Sequence, residues 1–184
     1  MSGSTAPRYS RPLIALHWIT LLLVAAAYAL MEFKGIFPKG SAERDLMKNI
    51  HYSVGVTLLG LTALRLALRW VAGAAPAIVP EPPRWQQAAG HAMHLALYAM
   101  LIVLPVTGWL TMNGHGVSIS AWGVPLPTLI GTDKALAGNL KDIHESIALA
   151  GYGLIGLHAM AALYHHYVAR DNTLRRMLPG KTAA

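Results

Sequence analysis

The sequence predicts an all-α fold, an integral membrane four-helix up-down bundle built as one domain over residues 1–184. Three observations carry this. Hydrophobic residues make up 54% of the chain and charged residues 12%, against about 25% charged in a soluble domain. The polar residues gather between four apolar runs. Each run is about 20 residues or slightly more, enough to cross a ~30 Å hydrocarbon core as a helix. Backbone groups in lipid must be satisfied within their own segment, so even the β-branched pieces read as helix.

The first span covers residues 13–33. Its opening, RYSRPLIALHWITLLLVAAAYA, has basic residues, an apolar stretch and a small-residue end, as a signal peptide does. The run is long for a signal and His17–Trp18 is out of place in one, so it is read as a retained helix. A charged connector with Gly35, Pro38 and Gly40 leads to the second span, residues 51–71. A proline-rich connector (Pro76, Pro80, Pro82, Pro83) leads to the third, residues 90–112, where Pro105 is expected to kink the helix. Residues 113–142 include GVPLPTLIG, too polar and broken to span, and are expected to lie across the outer end of the bundle. The fourth span covers residues 143–168. No internal repeat is visible.

Charge sets the direction of insertion. Arg8, Arg11, Arg65, Arg69, Arg84, Arg170, Arg175, Arg176 and Lys181 fall on the side of the termini, with Glu81 and Asp171. The other side has six basic residues against six acidic ones. The positive-inside rule therefore puts both termini in the cytoplasm. The formal charge of +7 is explained by this bias, and no nucleic-acid partner is expected. The absence of cysteine excludes disulfides, thiolate metal sites, iron–sulfur clusters and covalent c-type haem attachment.

Nine histidines remain as the main metal donors. His144 begins the fourth span and His158 lies fourteen residues deeper, about 21 Å along the helix and just under four turns on. Both rings leave nearly the same face. Ala148, Gly151 and Ile155 lie on the stripe between them, flanked by Gly153 and Gly156. These small residues suit either helix packing or the approach of a large flat group. His51 sits at the outer level with His144, whereas His17 and His94 sit at the inner level with His158. Ionisable groups inside a membrane are functional candidates. Two neutral imidazoles on facing helices can fill both axial positions of a haem iron. Two such levels predict two non-covalent b-type haems in the bundle core. Arg65, fourteen residues after His51, suits a haem propionate, although an arginine there can also snorkel to the interface.

The motifs RYSRPLIALHW, His51 and HESIALAGYGLIGLHAMAALYHH resemble the bacterial cytochrome b561 family, from Tyr9 to about Leu178. The resemblance implies that His51 and His144 ligate an outer haem and that His17 and His158 ligate an inner one. It also implies a superoxide oxidase: electrons pass from superoxide at the periplasmic face, through the haems, to ubiquinone near the inner haem, with release of dioxygen. His94 and His165 then serve the quinone site or supply its protons, with Arg84, Gln86 and Gln87 as weaker candidates and Trp85 favoured as an interface anchor. Lys34, Lys39, Arg44, Lys48, Lys134 and Lys141 are candidates for a patch that attracts the superoxide anion. Membrane lipid, ubiquinone and superoxide are the expected partners, and no protein partner is required. The same four-histidine scheme occurs in haem subunits of membrane formate dehydrogenases and hydrogenases, so the alternative is an electron-transfer subunit serving a partner dehydrogenase. A haem-free zinc or copper site is disfavoured because no acidic cluster accompanies the inward histidines.

Overall fold

The computed structural model describes residues 8–180, so Lys181 lies outside the described residues. Four helices dominate it: α1 (Arg11–Phe33), α2 (Ala42–Val71), α3 (Arg84–Gly114) and α4 (Lys134–Tyr167). All four are long and apolar enough to cross a membrane.

Each helix begins for a local reason. Pro12 occupies the first turn of α1, where its missing N–H costs nothing. The Ser41 hydroxyl accepts from the Arg44 amide at 3.3 Å, and Glu43 and Asp45 complement the positive end of α2. Pro83 precedes α3. One Asp133 carboxylate oxygen accepts from the Ala135 and Leu136 amides at 3.0 and 2.9 Å, capping α4.

The helices outrun the apolar spans, because hydropathy marks the lipid whereas capping marks where a helix starts. α2 takes in residues 42–50 and α4 residues 134–142 as helix rather than connector. At 34 residues, α4 is about 50 Å long, well beyond the ~30 Å core. Pro105 lies inside α3 without interrupting it.

Helices adjacent in sequence pack closely, α1 on α2, α2 on α3 and α3 on α4. Side chains bridge α1 to α4. Tyr28 donates to the Ala148 carbonyl at 2.7 Å, and Tyr152 to Glu32 at 2.6 Å. Leu13, Leu16, Val54, Leu58 and Met100 are buried. Large apolar side chains point outward instead, with Leu22 69%, Leu95 73% and Leu149 72% exposed. Facing water, each would forgo about 1.5–3 kcal/mol of burial; facing lipid, it meets a matching solvent.

The end that carries both termini is stitched shut. Tyr9 donates its amide to the Arg176 carbonyl at 3.2 Å, and the Trp18 indole donates to the Met177 carbonyl at 2.7 Å. Asn172 exchanges hydrogen bonds with Val79 at 2.9 and 3.1 Å and donates to the Ala77 carbonyl at 3.2 Å. The buried Arg176 guanidinium donates to the Pro76 carbonyl and lies 5.6 Å from the centre of the Tyr9 ring.

At the far end, residues 115–133 fold back across the bundle and contain a small antiparallel hairpin, β1 (Ser120–Ala121) and β2 (Val124–Pro125). Trp122 and Gly123 form its turn with φ of 52° and 84°, the left-handed pair of a tight hairpin. A tryptophan there is strained. It is held by its amide donating to Ser53 at 3.1 Å and its indole to Thr57 at 3.0 Å.

Candidate functional site

Five histidines face one another at two levels of the bundle. At the far level, His51 of α2 and His144 of α4 have ring centroids 6.2 Å apart at an interplanar angle of 74°. His51 Nδ1 lies 3.1 Å from the Ala27 carbonyl, and His144 Nδ1 lies 2.9 Å from the Leu104 carbonyl and 3.3 Å from Thr107 Oγ1. A carbonyl only accepts, so each Nδ1 carries the proton and each Nε2 keeps a lone pair. The ring of His144 is further set by Gly108, where an added Cβ would stand 3.2 Å from its Cε1.

At the level nearer the termini, His17 of α1 and His158 of α4 are also 6.2 Å apart, at 71°. His94 of α3 lies 5.6 Å from His158 at 73°. The Arg65 guanidinium sits 5.6 Å from the centre of the Tyr98 ring. His17 and His158 are half-buried whereas His94 is exposed.

These distances test the fit of a flat metallocofactor. An imidazole nitrogen sits about 2.0 Å from a first-row metal, and the ring centroid roughly 1.1 Å further, so two trans imidazoles place their centroids about 6 Å apart. Both 6.2 Å pairs fit. Proton-bearing Nδ1 atoms anchored to carbonyls are the usual second shell of such ligands. Among the described residues no three His, Asp or Glu side chains converge as a metal-ion cluster.

The six far-side cations are not uniformly free. Lys48 pairs with Asp45 at 2.7 Å and Lys141 with Glu145 at 2.9 Å, while Arg44 donates to the Phe37 carbonyl at 3.2 Å. Lys34 lies 3.5 Å from Met31 Sδ. Lys39 and Lys134 are exposed. On the termini side, Trp85 is 70% exposed, Gln87 donates to Glu81 at 3.1 Å, and Arg84 opens α3.

His165 brings in a residue that the sequence reading took only as a surface charge. Its Nδ1 lies 2.5 Å from an Asp171 carboxylate oxygen, and Asp171 is buried. Burial pushes that carboxyl up, but the Thr173 amide and the His165 ring outweigh it and hold it below the usual carboxylate range. The Ala27 and Leu104 carbonyls and Thr107 were likewise missed. Backbone acceptors leave no mark in residue type, whereas Thr107, thirteen residues after the inner-level His94, carried no spacing signal toward His144.

Comparison with known proteins agrees with this architecture. The family described as prokaryotic cytochrome b561 matches residues 8–180. "Cytochrome b561 homolog 1" of Escherichia coli (strain K12) is 44% identical over 172 residues, 94% of this chain and 97% of the relative. "Probable superoxide oxidase CybB" of Yersinia pestis is 38% identical over 174 residues, 95% and 97% respectively. "Cytochrome b562" of Cereibacter sphaeroides is 30% identical over 184 residues, 94% and 96% respectively. With four membrane-length helices and matching coverage along its described length, the chain belongs to the prokaryotic cytochrome b561 family, membrane electron-transfer proteins that bind b-type haem.

Proposed function

We propose that the chain is a dihaem superoxide:ubiquinone oxidoreductase of the bacterial inner membrane, with both termini cytoplasmic. The observation that carries this reading is the repetition of one geometry at two depths: imidazole pairs 6.2 Å apart, bridging α2 to α4 and α1 to α4. His51 and His144 hold the outer haem, and His17 and His158 the inner one. His94 is read as a quinone-side residue, because its 5.6 Å separation from His158 is shorter than the paired spacing. When bound, haem supplies one-electron chemistry.

The chain's own residues do the rest. The Ala27 and Leu104 carbonyls keep the outer imidazoles in the tautomer that leaves Nε2 free. Arg65 offers a fork to a propionate at the inner level. Lys34, Lys39, Arg44, Lys48, Lys134 and Lys141 on the outer side favour the approach of an anion. The neutralised pairs at Lys48 and Lys141 limit that attraction to a local one. Each superoxide gives up one electron and leaves as dioxygen. Two electrons and two cytoplasmic protons convert ubiquinone to ubiquinol, with His94 and His165 at the proton-supplying end. The name of the Yersinia pestis relative supports superoxide as donor, and the greater number of basic residues on the termini side supports the orientation.

The test is a haem-to-protein ratio followed by stopped-flow mixing of oxidised protein with superoxide. Two haems per chain, reduced much faster than they autoreduce and reoxidised by ubiquinone, are expected. A rate no faster than autoreduction removes superoxide as donor and leaves the second reading, an electron-transfer subunit for a partner dehydrogenase.

A further inference from the structure

The termini-side face holds a polar assembly outside the paired rings. Asp171 is 4% exposed, and a carboxylate is buried at a cost of several kcal/mol unless it is well partnered. Its partners are specific. One oxygen accepts from the Thr173 amide at 2.8 Å, and the other lies 2.5 Å from His165 Nδ1. The Asp171 amide donates to the His165 carbonyl at 3.0 Å, so backbone and side chain grip the same residue. A half-open pocket of about 200 Å³ adjoins Asp171, lined by Glu81 and Gln86 together with Pro80, Pro82, Pro83 and Ala169. His165 lies seven residues after His158, about 10 Å along α4 and close to the same face. Asp171 therefore stands between an open, proline-walled pocket that carries Glu81 and Gln86 and a histidine aligned below the inner imidazoles.

We infer that Asp171 is the positioning residue of a proton-delivery site, in which it fixes His165 so that Nε2 exchanges protons with the reduced electron acceptor while water in the adjoining cavity restores them. This rests on the quinone reading above. The carboxylate holds the proton on Nδ1, orients the ring and compensates the charge that forms when Nε2 is protonated, the part an aspartate plays beside any acid–base histidine. The balance is simple. An Nε2–H bond breaks, an O–H bond forms on the acceptor as it receives electrons, and the ring recovers its proton from cytoplasmic water. The event occurs twice for each two-electron acceptor.

The experiment uses haem-loaded protein in detergent with Asp171→Asn, Asp171→Glu and His165→Gln variants. Haems are reduced stoichiometrically with dithionite, then mixed with the short-chain quinone ubiquinone-1 in H₂O and D₂O. Asp171→Asn is expected to slow reoxidation on the order of 10²-fold, with an enlarged solvent isotope effect, unchanged haem content and unchanged reduction by superoxide. Asp171→Glu should recover part of the rate. Independently of turnover, ¹⁵N-histidine NMR should show a far-downfield Nδ1 proton that Asp171→Asn and His165→Gln both abolish. Reoxidation of Asp171→Asn at the wild-type rate overturns the inference and leaves the quinone reading intact. Should Asp171→Asn lose haem through misfolding, Asp171→Glu and His165→Gln decide together: a wild-type reoxidation rate in either overturns the inference, and a slow His165→Gln with a partly slowed Asp171→Glu supports it. If reduced wild-type protein is not reoxidised by ubiquinone-1, the quinone reading fails and this inference fails with it.

Discussion

Gly108→Ala should weaken the outer haem site while sparing the inner one. The new Cβ would lie 3.2 Å from His144 Cε1 and 3.3 Å from Nδ1, where carbon contacts normally sit at about 3.5–4.0 Å. The ring must withdraw by a few tenths of an ångström. It is tethered through Nδ1 to the Leu104 carbonyl at 2.9 Å and Thr107 at 3.3 Å, both on the helix that carries Gly108. Withdrawal therefore stretches the contacts that orient the ligand. Overpacking costs about 1–3 kcal/mol, and loss of second-shell orientation costs about 10- to 100-fold in metal affinity, roughly 1.4–2.7 kcal/mol. The two figures agree. Haem titration of apoprotein, read by reduced-minus-oxidised spectra, should show one site weakened 10- to 100-fold and the other at wild-type affinity. Gly138→Ala is the control, since no atom lies within 4 Å of its added Cβ; both sites should stay at wild-type affinity. Two wild-type affinities in folded Gly108→Ala would refute the argument, as would equal weakening of both sites.

Two further changes separate the sites and test the scaffold. His144→Ala should lose the outer haem and keep the inner, His158→Ala should do the converse, and His94→Ala should keep both. Pyridine haemochrome counts check this, and a single haem in His94→Ala would make His94 an inner ligand. Asp133→Ala removes the acceptor of two amides at the start of α4 and should cost about 1 kcal/mol, seen as a lower thermal midpoint in detergent with an unchanged haem ratio.

The bundle and the paired levels were legible because their causes are local or periodic. Apolar runs set the spans, and a fourteen-residue spacing returns His144 and His158 to one face. Helix ends were less legible, since Ser41 and Asp133 extend α2 and α4 through polar sequence. The His165–Asp171 contact was hidden for a different reason. The chain reverses at Arg170, which takes φ of 56°, a conformation usually announced by glycine or asparagine. An arginine gives no such warning, so nothing in the sequence brought Asp171 back beneath His165. His17 and His94 share a level, and depth alone ranks neither ahead of the other.

The unequal packing around the bundle has a mechanical consequence. Successive helices pack along their length, but α1 and α4 meet mainly through a few side chains, the Tyr28 and Tyr152 bridges, with Trp18 and Tyr9 fastening the chain before and within α1 to the segment that follows α4. Parting those two helices breaks a handful of clasps, whereas parting any sequential pair tears a packed seam. The α1–α4 side is therefore the least tightly held face of the bundle.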